Sequence, residues 1–393
     1  MKRICVFTGT RADYGLLKPL MEKMRDDNQL DLKLLVSGMH LYPEFGLTVN
    51  QIEEDSFYID EQVRMLVGPD TSAGLCKSMG FGLMEYADAI ERINPDGMVI
   101  LGDRFEAFAA AIACFTLKVP IFHIHGGELS SGAMDDAFRH CITKMSHLHF
   151  TCAAAYQTRV IQLGEHPGRV FNVGALGVEN IKNMSLLSED DIKKDMGLSI
   201  QDKYLLVTFH PETLGQMDGK IQFQELLGSF ADNKCDNYKI VFTKANADVS
   251  GRRINQMIDG FETKNKNRVR SFASMGQLRY LSAMKYASAV VGNSSSGIIE
   301  APSFKVPVIN IGDRQKGRIR ADNIIDCRTC KTDIEQALKK GLSKEFKASL
   351  LTMESPFEKE NTAENIKTII MGYDSMDLKK EFYTVFNGIE IKS

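Results

Sequence analysis

The sequence holds 393 residues, 44% of them apolar and 25% charged, with a net charge of −3 and a pI of about 6.3. That is more apolar material than one ordinary core takes up, so two domains are expected. There is no excess of positive charge for nucleic acid or an acidic membrane face, and no apolar run approaches the ~18 residues of a membrane span.

The start, Met1–Phe7, is too short an apolar run for a signal peptide before Gly9-Thr10-Arg11 breaks it. Eight cysteines are scattered, and only Cys327 and Cys330 have a suggestive spacing, with two residues between them and no second pair to complete a zinc site. Incidental thiols in a reducing compartment fit this usage, so the expected location is the cytoplasm.

Ile4–Thr8 reads as a first strand, running into Gly9-Thr10-Arg11-Ala12-Asp13-Tyr14-Gly15. Leu16, Leu17, Leu20, Met21 and Met24 then recur at helical spacing. The turn lacks G-x-G-x-x-G, which argues against a nicotinamide dehydrogenase. Arg11 sits where a ligand phosphate would approach the helix, and a guanidinium fork suits phosphate; a plain surface arginine is the alternative.

Leu32–Val36 is the second strand, and a helix is expected from about Ser72 to Ile93. Asn94-Pro95-Asp96-Gly97 is a strong turn signal. Met98–Leu101 is a wholly apolar strand, as in a parallel sheet covered on both faces. It ends in Gly102-Asp103-Arg104, and the strand 119–124 ends in His125-Gly126-Gly127-Glu128. Charged residues just past the carboxyl ends of successive strands are where open α/β sheets bind ligands. Asp135 and Asp136 open the next helix, where the helix dipole accounts for acids at the N-terminus; the functional alternative has Asp135 facing the cleft while Asp136 caps. His140, His147 and His149 lack metal-ligand spacing and read as structural.

The alternation repeats in the second half. Tyr204–Phe209 leads to His210-Pro211-Glu212-Thr213, and Tyr238–Phe242 to Thr243-Lys244-Ala245-Asn246-Ala247-Asp248. Val269–Phe272 comes before a helix near Gln277–Tyr286. Ala289–Val291 leads into Gly292-Asn293-Ser294-Ser295-Ser296-Gly297-Ile298-Ile299-Glu300, and Val306–Ile311 into Gly312-Asp313-Arg314. Three hydroxyls between two glycines at a strand-to-helix turn suit an anion, with backbone N–H groups and the helix dipole meeting a phosphate. A Ser-rich helix cap is the bland alternative. Glu300, just beyond, suits a pair of sugar hydroxyls. The expected fold is α/β, two Rossmann-like domains facing across a cleft, with boundaries at 1–178 and 179–360. A helix near Thr362–Met371 in the tail 361–393 is placed to cross back onto the first domain.

Taken together, these stretches resemble the hydrolysing UDP-N-acetylglucosamine 2-epimerases of sialic acid or legionaminic acid biosynthesis. The resemblance rests on Thr8–Gly15, Gly102-Asp103-Arg104, His123–Glu128, Asp135–His140, Ile142–Ser146, Phe209–Thr213, Gly292–Pro302 and Asn310–Arg318, in that order. It implies the GT-B architecture, a nucleotide-sugar (UDP-HexNAc) substrate, and a homodimer or dimer of dimers. It puts Arg11, Ser294 and Ser295 on the diphosphate, Arg314 beside them and Glu300 on the ribose. Arg104 is counted with the binding residues, and Asp103, Glu128, Asp135 and His210 fall on catalytic positions. Non-hydrolysing relatives carry Glu at position 135 and glycines at 295 and 296, so this chain follows the hydrolysing branch there. His125 stands where some hydrolysing members have Glu.

The reaction so implied releases UDP and inverts C2 through a 2-acetamidoglucal. Mutual repulsion among Asp103, Glu128 and Asp135 is expected to raise at least one of their pKa values toward neutrality, and His210 to assist proton transfer or leaving-group departure. The chemistry needs no metal and no cofactor, and none is expected.

Overall fold

A computed structural model describes residues 1–69, 71–131, 133–212, 217–230, 237–245, 251–373, 378–386 and 389–390. Thr213 and the 246–248 part of the second-half turn lie outside the described residues. Seven parallel strands form the first sheet: β1 (Lys2–Thr8), β2 (Leu30–Ser37), β3 (Glu61–Val63), β4 (Gly97–Leu101), β5 (Ile121–Ile124), β6 (Leu148–Thr151) and β7 (Val170–Asn172). Their order is β3-β2-β1-β4-β5-β6-β7. The second sheet comprises β8 (Lys203–Thr208), β9 (Tyr238–Thr243), β10 (Val269–Phe272), β11 (Ala289–Gly292), β12 (Val308–Ile311) and β13 (Ile324–Cys327), in the order β10-β9-β8-β11-β12-β13.

Each sheet therefore reverses direction of strand addition once, between β1 and β4 in the first and between β8 and β11 in the second. Helices cover both faces, which is why β4 and β11 are apolar along their length and buried. The core follows the faces. Ile4, Val6, Leu17 and Leu20 pack on one side of the first sheet, and Cys5, Phe7, Met98 and Ile100 on the other. At a reversal point the connections leave to opposite faces and open a crevice at the carboxyl ends of the strands. The crevice of the first sheet is flanked by Gly9-Thr10-Arg11 and Gly102-Asp103-Arg104. That of the second is flanked by His210 and Asn293-Ser294.

Helix Leu176–Asn183 packs on helix Arg11–Arg25, and Asn180 Nδ2 donates to Gly15 O at 3.0 Å. The expected junction after residue 178 thus falls inside a helix that belongs with the first sheet, and we place the crossing after Asn183. Helix Thr362–Gly372 also lies on helix Arg11–Arg25. Lys2 Nζ donates to Met371 O at 2.9 Å and Lys367 pairs with Asp27 at 3.0 Å, fixing the returning segment to the first half.

Candidate active site

One cavity between the sheets is lined from both halves of the chain, by Arg11, Asp103, Arg104, His125, Asp135, His210, Ser294, Ser295, Glu300 and Arg314 among others. At its first-sheet end, Thr10 caps helix Arg11–Arg25 in a reciprocal box with Asp13. The Asp13 carboxylate accepts from the Gly9 and Thr10 amides at 3.0 and 2.9 Å. Those N–H groups are therefore engaged within the turn, and the donor offered to an anion here is the Arg11 side chain. Arg11 Nη2 donates to Lys244 O at 3.2 Å, and no carboxylate pairs with it among the described residues. Its withdrawal from water lowers its pKa to about 10, so it stays charged near neutrality. A charged guanidinium without a counter-charge in a cavity wall suits an anionic ligand.

Asp103 follows Gly102, whose φ of +80° suits glycine. His123 fixes the turn from below. Its Nε2–H donates to Gly102 O at 2.8 Å, which leaves Nδ1 to accept from Thr143 Oγ1 at 3.2 Å. Burial lowers the pKa of His123 to about 3, so the ring is neutral. The Asp103 carboxylate accepts from Arg139 Nη2, which also donates to Ser130 Oγ at 2.9 Å. Arg139 is 1% exposed, and its Nε and Nη1 have no hydrogen-bond partner among the described residues. Arg139→Lys keeps the charge but loses the planar fork that orients Asp103. Arg104 is drawn toward buried Glu106, donating through Nε and Nη2 at 3.2 and 3.3 Å.

Three further contacts bear on the carboxylates. Glu128 lies behind the cavity wall, 1% exposed, and is the one predicted site residue absent from the lining. It accepts from His125 Nδ1 at 2.6 Å and lies 2.8 Å from Arg318 Nη1, which comes from the second half of the chain. Burial pushes its pKa up, but the Arg318 guanidinium and His125 outweigh this and hold it at about 2. Asp135 lines the cavity 3.6 Å from Arg314 Nη2. Asp136 accepts from the Ser130 amide at 2.5 Å instead of capping its own helix, which has no side-chain cap.

For Glu128 the expected rise from repulsion is therefore corrected to a fall. Arg139, Arg318 and Arg314 stand one beside each carboxylate, so attraction replaces repulsion and the Glu128 pKa falls. The carboxyl group raised toward neutrality is Glu300, which burial brings to about 7.

On the second sheet, the Asn293 amide brackets His210, accepting from His210 N and donating to His210 O, each at 2.8 Å. Asn293 O in turn accepts from Arg314 Nη1 at 3.2 Å and Gln315 Nε2 at 2.8 Å. Ser294 caps helix Ser295–Ile299, so the capping reading is correct and coexists with exposure of the turn to the cavity. That helix has only five residues, so local N–H and O–H groups supply its donors, with little macrodipole behind them. Ser296 Oγ lies 3.0 Å from Ser294 Oγ and 2.6 Å from Tyr280 Oη, which joins the cavity wall.

Nine of the ten predicted site residues thus surround one cavity, and Glu128 reaches it only through His125. The parts not predicted are Arg139, Arg318 and Tyr280. Arg139 and Arg318 lay inside recognised motifs, where an arginine amid carboxylates was the available signal. His125, Glu128 and Cys152 cluster closely enough to suggest a cation. Their chemistry does not fit one: Arg318 already supplies positive charge, and Cys152 Sγ donates to Glu128 Oε1 at 3.2 Å as a thiol whose pKa burial raises.

The model of the UDP-N-acetylglucosamine 2-epimerase family matches residues 22–371. A GDP/UDP-N,N'-diacetylbacillosamine 2-epimerase (hydrolyzing) of Campylobacter jejuni is 44% identical over 346 residues, covering 88% of this chain and 89% of that protein. Polysialic acid biosynthesis protein P7 of Escherichia coli is 37% identical over 387 residues, 98% of each. Among solved structures, Methanocaldococcus jannaschii UDP-GlcNAc 2-epimerase in complex with UDP-GlcNAc and UDP aligns over 95% of this chain and 100% of that chain. Its TM-score is 0.78 at 20% sequence identity, which shows the same GT-B-like pair of parallel sheets. With the family model covering most of the sequence and two relatives this similar along nearly all of theirs, the chain belongs to the UDP-N-acetylglucosamine 2-epimerase family.

Proposed function

We propose that the protein is a hydrolysing 2-epimerase that converts a UDP-linked 2-acetamido sugar and water into UDP and the free C2-inverted sugar. The observation that carries this is the division of the cavity. Arg11, which has no carboxylate partner among the described residues, forms with Ser294, Ser295 and Arg314 a cationic and hydroxylic end for a diphosphate, while Asp103, Asp135, His125 and His210 form an acid–base end. A transferase on this scaffold needs fewer acid–base groups. The C2 hydrogen has no adjacent carbonyl to acidify it, so the reaction proceeds by elimination. C2 loses its proton as the C1–O bond breaks toward UDP, giving a 2-acetamidoglucal. Water then adds at C1 and a proton returns to C2 from the opposite face. Donors preorganised on the diphosphate stabilise the departing charge.

Two sugars are in view. UDP-GlcNAc would give N-acetylmannosamine, the sialic acid precursor. A 2,4-diacetamido-2,4,6-trideoxy sugar is favoured by the 44% identical relative whose name specifies N,N'-diacetylbacillosamine. Incubation with each nucleotide in D2O, followed by NMR, decides. The expected product carries deuterium at C2, and full retention of the substrate's own hydrogen would defeat the elimination route. Because arginines supply the positive charge at the diphosphate end, turnover is expected to persist in EDTA. Loss reversed by Mg2+ would refute this.

Glu300 gives a pH signature. With a folded pKa of about 7 it is half protonated near neutrality, whereas holding both ribose hydroxyls as an acceptor would need the carboxylate. UDP affinity is therefore expected to weaken about tenfold from pH 8 to pH 6, as the carboxylate takes up a proton. In Glu300→Gln this component disappears, leaving only the titration of UDP itself; calorimetric titration of both proteins across that range checks it. For the nucleotide-free protein the sign is opposite. A raised carboxyl pKa adds stability below the unfolded value that is lost as pH rises through about 7.

A further inference from the structure

We propose that His125 is the base of the elimination, taking the C2 proton on Nε2, and that Glu128 and Arg318 are positioning residues that act through it. The inference deepens the proposed function and rests on it. His125 lines the cavity, yet its backbone is left-handed at φ +67°, a conformation histidine adopts seldom and at a cost. The turn Gly126-Gly127 that follows brings Glu128 back beneath the ring.

The hydrogen bond from Nδ1 to Glu128 at 2.6 Å fixes the tautomer. Nδ1 carries the hydrogen, so in the neutral ring Nε2 carries the lone pair, and it has no hydrogen-bond partner among the described residues. A buried polar nitrogen without a partner, in a cavity wall, is a group held for a ligand. The two cavity carboxylates are poorer bases, since each has an arginine beside it. Arg139 donates to Asp103, and Arg314 stands 3.6 Å from Asp135.

In the step itself, the C2–H bond breaks and its proton goes to Nε2. The bonding pair becomes the C1–C2 double bond, and the C1–O pair leaves with UDP. The imidazolium formed faces the Glu128 carboxylate, which stabilises it as a buried acid does in a His–carboxylate pair. Arg318 lies between β12 and β13 and crosses to Glu128, with Nε donating to Leu129 O at 3.3 Å. Contact between the two halves of the chain and the orientation of the base are thus one linked arrangement.

The test compares the wild-type chain, His125→Asn, Glu128→Gln and the double variant, measuring kcat, KM and UDP binding. His125→Asn is expected to lower kcat about a hundredfold while UDP binds within about threefold of wild type. Glu128→Gln is expected to cost about tenfold in the wild-type background and nothing further in the His125→Asn background, because it acts only through the ring. Near-wild-type kcat in His125→Asn would overturn the proposal, as would parallel loss of UDP binding. Equal losses from Glu128→Gln in both backgrounds would show a merely structural role for that residue. A wild-type chain that releases no free sugar from either sugar nucleotide defeats the proposed function itself, and is recognised before any variant is compared.

Discussion

Asp103→Asn is expected to lower kcat about a thousandfold and to leave UDP affinity within about threefold. The substitution is close to isosteric, and the amide oxygen can still accept from Arg139, so the turn after β4 keeps its anchor. What is lost is the ability to take up and return a proton at the wall of the cavity. If His125 removes the C2 hydrogen, inversion requires a second group to deliver one from the opposite face, and Asp103 sits on the neighbouring strand end. The variant should therefore be impaired chiefly in hydrating the glucal, and NMR should show free 2-acetamidoglucal building up relative to the wild type. A kcat within tenfold of wild type would remove Asp103 from the proton-transfer machinery. A matching loss of UDP affinity would instead make it a binding residue.

The contrast between Asp103 and Arg139 marks what the sequence discloses. Asp103 was legible because it follows an apolar strand, and the end of such a strand is a ligand position whatever else the chain does. Arg139 sits mid-helix, and its role depends on that helix packing against helix Phe105–Thr116 and β5, which no local pattern specifies. The pKa pattern escaped for the same reason. Charges in a motif can be counted, but whether arginines stand between carboxylates is settled by tertiary placement, and here Arg318 arrives from the other half of the chain.

The fold divides in a similar way. The long apolar strands at the sheet centres were recognised from composition, with ends shifted by a residue or two. The strands β3, β6, β7 and β13 were not. Glu61-Gln62-Val63 and Val170-Phe171-Asn172 are three residues each at the two edges of the first sheet, and Leu148-His149-Phe150-Thr151 drew attention for its histidine. His149 is in fact buried, paired with Glu165 at 2.9 Å, and the structural reading of that histidine agrees with its place in β6. Short edge strands acquire their identity from a neighbour's hydrogen bonds, so propensity alone identifies them poorly.

Gly292→Ala is expected to destabilise the protein by about 3 kcal/mol, lowering its thermal midpoint by about 8 °C, and to abolish tight UDP binding. Two costs combine. Gly292 has φ +132°, a region that a side chain strongly disfavours, and an added Cβ would fall on the carbonyl oxygen of Thr208 in the paired strand β8. That oxygen accepts from Asn293 N at 3.1 Å, so it cannot withdraw without releasing Asn293. Asn293 in turn holds His210, Arg314 and Gln315, and begins the turn that carries Ser294 and Ser295. One methyl group thus displaces the diphosphate end of the cavity as well as the strand. Gly102→Ala separates the two costs. There φ is +80° but nothing lies within 4 Å of the added Cβ, so only backbone strain of about 1 kcal/mol is expected. If thermal melts show the two alanine variants equally destabilised, the clash with Thr208 is unimportant and strain alone explains both glycines. If Gly292→Ala melts far lower and binds UDP poorly, close packing between β8 and β11 is what builds the nucleotide site.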